Sequence, residues 1–159
     1  MEMHLPFMRL CLNEDTKIVP IMVGHLNDRD IEAYGKVLAP YFERDDTLFV
    51  ISSDFCHWGT NFDYQPMDKN FGQIWEYIQA LDHKGMEHIA NNDYRGFTNY
   101  LDQTQNTICG REPIRLLLQT IKNSKLNTPD IKWIAYDQSD KVKRMNDMSV
   151  SYATAVIYM

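Results

Sequence analysis

The chain predicts an α/β fold, a partly parallel sheet flanked by helices, and three observations carry that prediction. Two short apolar runs, residues 16–23 and 48–53, have the length and β-branched content of strands. Between them Ile31, Tyr34, Val37, Leu38, Tyr41 and Phe42 recur at helical spacing. Strand, helix and strand make a βαβ unit, whose right-handed crossover sets the two strands parallel.

Size and composition allow a real core. At 159 residues the chain has the length of one domain, and such a domain buries roughly 70% of the surface of its unfolded chain. Apolar residues make up 44% against 24% charged, which argues against disorder. The formal net charge of -6, with no basic tract, disfavours a nucleic-acid partner, which needs clustered Lys and Arg. Cys11, Cys56 and Cys109 are too few and too scattered for a disulfide framework, so reduced thiols are expected. The chain shows no signal-peptide pattern, no apolar run near the roughly 20 residues of a membrane span, and no prenylation box. A cytoplasmic protein, or one shared with the nucleus, is the expectation.

The elements follow in order. Leu5, Met8 and Leu12 share a helical face at the start, with Pro6 inside it and no capping residue ahead, as in a helix entered midway. Residues 16–23 form the first strand, which Pro20 assigns to an edge or bulge and Gly24 closes. Residues 28–43 form an amphipathic helix, with Asn27 or Asp28 as its cap. The next strand is apolar on both faces, the habit of a parallel sheet, and lies between Asp45-Asp46 and Ser52-Ser53. Phe71, Ile74, Trp75, Ile78 and Leu81 mark a helix ending near Gly85, followed by a shorter one over 87–91. Phe97, Tyr100 and Leu101 mark a helix over 94–104, and Ile114, Leu117, Leu118 and Ile121 the last one, begun by Pro113 in its first turn. These stripes read as core. Residues 131–136 and 149–158 are two further strands around a polar loop or partial hairpin. No internal repeat or linker divides residues 1–159.

Chemistry concentrates where the second strand stops. Ligands in open α/β sheets bind beyond the carboxyl ends of strands, which is where Asp54 and His57 stand. A carboxylate three residues from an imidazole can orient it, and a histidine can carry a proton or bind a metal. The same pair also fits a plain turn, with Asp54 as its cap. Cys109 lies just before a helix start and beside Arg111, a setting that favours a thiolate, the form that attacks and that binds metals. An inert packed thiol fits the composition too. Cys56 alternates away from Asp54 and reads as buried and structural. His25 can reach the same rim, and His83 and His88 sit on solvated helical faces. P-loop, GxGxxG, HExxH and GxSxG signatures are absent.

Four stretches in this order, Glu2-Met3-His4-Leu5-Pro6, Val50-Ile51-Ser52-Ser53-Asp54-Phe55-Cys56-His57-Trp58-Gly59, Asn106-Thr107-Ile108-Cys109-Gly110-Arg111-Glu112-Pro113-Ile114 and Ser149-Val150-Ser151-Tyr152-Ala153, resemble the Memo family, mediator of ErbB2-driven cell motility. The resemblance implies a fold like that of the class III extradiol dioxygenases, with a cleft at the strand ends. Those enzymes hold non-haem iron with two histidines and a carboxylate. A cysteine replaces the carboxylate in the Memo family, and here that residue is Cys109. Asp54 and His57 match cleft residues of the family, His57 standing where the dioxygenases place an acid/base. Glu2 matches a carboxylate near the cleft, and Arg111 lines it.

The resemblance covers the C-terminal half of the family's length, and the two family histidines that bind metal precede it. The chain is therefore expected to be an incomplete domain with apolar sheet edges exposed, unable to bind iron or copper well by itself. The function implied first is intracellular signalling and interaction, linking receptor tyrosine kinases to the cytoskeleton and cell motility. Phosphotyrosine-containing receptor peptides or adaptor proteins would be its partners, and Arg111, Arg115 and Arg95 are the candidate phosphate contacts. The alternative is an iron- or copper-binding redox protein, a metal-dependent oxidoreductase if it is an enzyme.

Overall fold

The computed structural model describes residues 2–126 and 129–158. Its sheet grows from the two C-terminal runs rich in β-branched and aromatic residues. Strand β2 (Asp130–Gln138) and strand β3 (Ser149–Tyr158) pair antiparallel from Asp130 opposite Tyr158 to Gln138 opposite Ser151, with a bulge at Ile134. The polar stretch between them folds on itself, since the Asp147 carboxylate accepts from the amides of Lys143 (3.1 Å) and Arg144 (3.0 Å). A short strand β1 (His57–Trp58) adds to the other side of β3, giving the order β1-β3-β2, antiparallel throughout.

The helices stand largely where the apolar periodicity puts them. Helix α1 (Leu5–Cys11) follows a 3-10 turn over Glu2–His4, has no side-chain cap and buries no residue; Pro6 falls in its first turn, where no amide is needed. Helix α2 (Asp28–Phe42) is capped by Asn27, whose side chain accepts from the Asp30 amide at 2.9 Å. Helix α4 (Tyr94–Thr104) is capped by Asp93, which accepts from Gly96 at 2.8 Å, and helix α5 (Arg111–Asn123) starts after Gly110. Phe55, Trp58, Ile78, Phe97, Tyr100, Ile108 and Leu118 form the centre of a core lying between these helices and the sheet.

Two expectations are corrected. Residues 16–23 and 48–53 are in no sheet, so the parallel βαβ unit does not form among the described residues. A strand exists through its ladder, and no described segment pairs with these two in one; Ile18, Val19, Ile21, Met22, Leu48 and Val50 are left exposed. The helix expected to end near Gly85 instead runs unbroken as α3 (Ile74–Ala90), absorbing the shorter one. Gly85 serves there as a packing site: a Cβ on it would meet the Tyr100 ring at 2.8 Å. That contact outweighs the roughly 1 kcal/mol that glycine costs inside a helix. No helix among the described residues is long and apolar enough to cross a membrane.

Candidate metal centre

Two loops make the site, one running into β1 and one into α5. In the first, Phe55, Cys56 and Trp58 turn into the core, which leaves Asp54 and His57 partly open. In the second, Gln105 ends α4 in the left-handed conformation (φ 53°), and fully buried Ile108 pins the chain so that Cys109 faces out. The side facing solvent is therefore the one that carries the chemistry.

Hydrogen bonds lock the loops side by side. The Asp54 amide donates to Cys109 Sγ (3.0 Å), and the Gly110 amide donates to Ser53 Oγ (3.0 Å). Thr107 Oγ1 accepts from the His57 amide (2.7 Å) and donates to the His57 carbonyl (2.9 Å). On the sheet side the Phe55 amide donates to the Ser151 carbonyl (2.8 Å), and the Ser151 amide returns a bond to Cys56 (2.9 Å). The first loop is thus held from two directions.

One consequence is a cluster of donors. Single ligand atoms of Asp54, His57 and Cys109 all lie within 4.8 Å of one another. His57 Nε2 stands 3.8 Å from Asp54 Oδ2, too far for a good hydrogen bond, and it is buried with no hydrogen-bond partner. A buried nitrogen without a partner is uncommon and calls for one. The ring is steadied edge-on by Phe62 at 5.1 Å between centroids. Sulfur, imidazole and carboxylate together suit a borderline or soft transition metal such as copper or iron.

The remaining sequence candidates separate. Arg111 opens α5 two residues after Cys109, half-buried; its amide donates to the Ile108 carbonyl (3.3 Å), and its guanidinium has no hydrogen bond or ion pair among the described residues. Glu2 lies in the exposed 3-10 turn, outside the cluster. Arg115 is consumed by the structure, its guanidinium bonded to Asp28 (2.8 Å), Glu112 (3.0 Å) and Tyr94 (3.1 Å). His25 pairs with Glu112 at 3.2 Å, away from the three donors. His83 is exposed as expected, while His88 is half-buried and bonds to Asp93 at 3.0 Å. Burial pushes the Cys56 thiol well up, as suits an inert core residue.

Sequence reasoning missed Asp82. It interrupts the buried stripe Ile74, Ile78, Gly85 and Ile89 of α3 and is itself fully buried, a charge on an apolar face that was the available signal. Burial raises its carboxyl above the ordinary value of 3.8, while bonds from Ser151, Asn106 and Tyr136 pull the other way. A proton is thus held more tightly in the folded state. Its contribution to stability is present below the ordinary carboxylate range and is lost as pH rises through the raised value. Asp82→Asn, which does not titrate, should therefore gain stability relative to the parent chain as pH rises above about 4. Urea unfolding of both proteins between acid and neutral pH checks this, and a flat difference would contradict it.

Known proteins with this sequence pattern are consistent with one another. A family model described as Memo-like protein matches residues 1–156. The Protein memo-1 homolog of Caenorhabditis elegans is 40% identical over 163 residues, covering 99% of this chain and 47% of the relative. Protein MEMO1 of Danio rerio is 40% identical and Protein MEMO1 of Homo sapiens 38% identical, each alignment covering 98% of this chain and 54% of the relative. The chain spans about half the length of these relatives. With the family model matching residues 1–156 and almost the whole chain aligned to these relatives, this chain belongs to the Memo family.

Proposed function

We propose that Cys109, His57 and Asp54 contribute a sulfur, an imidazole and a carboxylate to a copper or iron site, and that the function is metal-linked redox chemistry. The observation that carries this reading is the convergence of three donor atoms within 4.8 Å around a buried His57 Nε2 that has no partner. A bound copper or iron ion supplies one-electron chemistry there. Within the chain, the Asp54 amide orients the Cys109 sulfur, and Thr107 fixes the His57 backbone so that the ring stays aimed at the cluster. In the metal-free chain, where its lone pair is not coordinated, His57 Nε2 beside Asp54 is instead the atom able to take or give a proton. Extradiol cleavage is disfavoured, because a soft sulfur replaces the hard carboxylate of the dioxygenases. A dioxygenase-like sheet belongs to the same proposal, with the exposed apolar residues of 16–23 and 48–53 as its unfilled edges.

Anaerobic Cu(I) titration against a chromophoric chelator tests the site. Cys109→Ser and His57→Ala should each weaken Cu(I) binding at least about tenfold, since even outer-sphere changes at metal sites cost about that much. Parent and Cys109→Ser proteins with equal affinity would remove the reading.

A second reading, signalling through phosphotyrosine-containing receptor peptides or adaptors and onward to the cytoskeleton and cell motility, is favoured by Arg111. Its guanidinium has no side-chain partner among the described residues, and the residue opens α5 two positions after Cys109, which leaves it available for a phosphate. Calorimetry with a phosphotyrosine peptide should show binding that Arg111→Ala abolishes; binding untouched by that change would take Arg111 out of the account. The proposed location is the cytoplasm, shared with the nucleus, on the sequence features alone.

A further inference from the structure

Neither the donor cluster nor the phosphate reading uses Asp82, yet it is a fully buried carboxylate in the middle of α3. A group of this kind persists only where its oxygens are well bonded. Its Oδ1 accepts from the Cys56 amide (3.2 Å) and from Asn106 Nδ2 (2.9 Å), and its Oδ2 accepts from the Tyr136 hydroxyl (2.9 Å). Cys56 is the neighbour of His57, and Asn106 opens the loop that ends at Cys109. A single oxygen therefore touches both arms of the site. Asn106 is braced further, since its Nδ2 also donates to the Tyr100 hydroxyl (2.7 Å), which donates on to the Leu81 carbonyl of α3 (2.9 Å).

We propose that Asp82 is the positioning residue of the centre: its Oδ1, shared by the Cys56 amide and the Asn106 side chain, sets the distance between the His57 loop and the Cys109 loop. The consequence for metal binding rests on the reading above, whereas the geometric claim does not. Three variants separate the possibilities. Asp82→Leu has a similar shape and lacks both acceptors. Asp82→Asn keeps Oδ1 for the two loops and turns its amide group toward Tyr136 and Ser151, whose hydroxyls can accept. Asn106→Ala cuts one arm only and serves if the leucine variant does not fold.

Two readouts are needed, one without metal. In the metal-free chain, hydrogen exchange at the Asp54 and His57 amides, which are bonded to Cys109 and Thr107, should accelerate at least about tenfold in Asp82→Leu and in Asn106→Ala. Amides of the β2–β3 ladder should change much less, and Asp82→Asn should restore the parent rates. Cu(I) affinity should follow the same order, falling at least about tenfold and returning with asparagine. Parent-like exchange at Asp54 and His57, or a uniform acceleration across the chain, would overturn the positioning role. Selective loosening in a protein whose parent form binds Cu(I) no better than Cys109→Ser would support the positioning role and overturn the metal reading.

Discussion

Trp58→Ala is expected to destabilise the chain by about 3–5 kcal/mol, the range for truncating a large core aromatic. Trp58 has no exposed surface, belongs to the main core cluster, and donates from its indole nitrogen to the Pro66 carbonyl at 2.9 Å. Alanine would leave a cavity and a carbonyl without its partner, two separate costs. Trp58 is also the second residue of β1, opposite Ser149 of β3, so its loss loosens the strand that carries His57. Urea unfolding with an unchanged slope and a much lower midpoint is the expected observation. An unfolding free energy within about 1 kcal/mol of the parent's would mean that the indole is not packed as described.

Gly110→Ala should produce the largest effect on the site itself. Gly110 has an ordinary φ of -89°, so its requirement is space alone. A Cβ there would collide with the Ser53 side chain, 2.5 Å from its Oγ, and would lie 2.7 Å from the Ser52 carbonyl oxygen. Backbone on one side cannot give way, so the loops must part. The expected cost is about 1–3 kcal/mol, as for overpacking elsewhere. Parting the loops also breaks the Gly110 to Ser53 bond and draws Cys109 from the Asp54 amide. Cu(I) affinity of the folded variant should fall with stability, whereas folded Trp58→Ala should lose stability far more than affinity. A Gly110→Ala protein matching the parent in both would contradict the side-by-side packing of the loops.

Local chemistry in the sequence determined much of the scaffold. Asn27 as a cap, the apolar stripes of α2, α4 and α5, Pro113 in a first turn, and the alternating β-branched runs of β2 and β3 all act within a few residues of themselves. Asp54 and His57 were legible for the same reason, being three residues apart beyond an apolar run, and so was Cys109 at a helix start. Family motifs in the same order added what these residues could do together.

Tertiary structure decided the rest, because the deciding contacts join residues far apart in the chain. Residues 16–23 and 48–53 have strand composition, but a ladder needs a neighbour, and none of the described segments supplies one. Gly85 reads locally as a helix end and becomes a helix interior once Tyr100 packs on it. Arg115 looks like a free cation until Asp28, Glu112 and Tyr94 close around it. Asp82 stands out in the sequence only as a charge on an apolar helical face, and its role is set when folding puts Cys56, Asn106 and Tyr136 within hydrogen-bond reach. The encounter of Asp54 with Cys109, 55 positions away, is of the same kind: composition supplies the donors, and only the packing of two loops against one buried carboxylate brings them together.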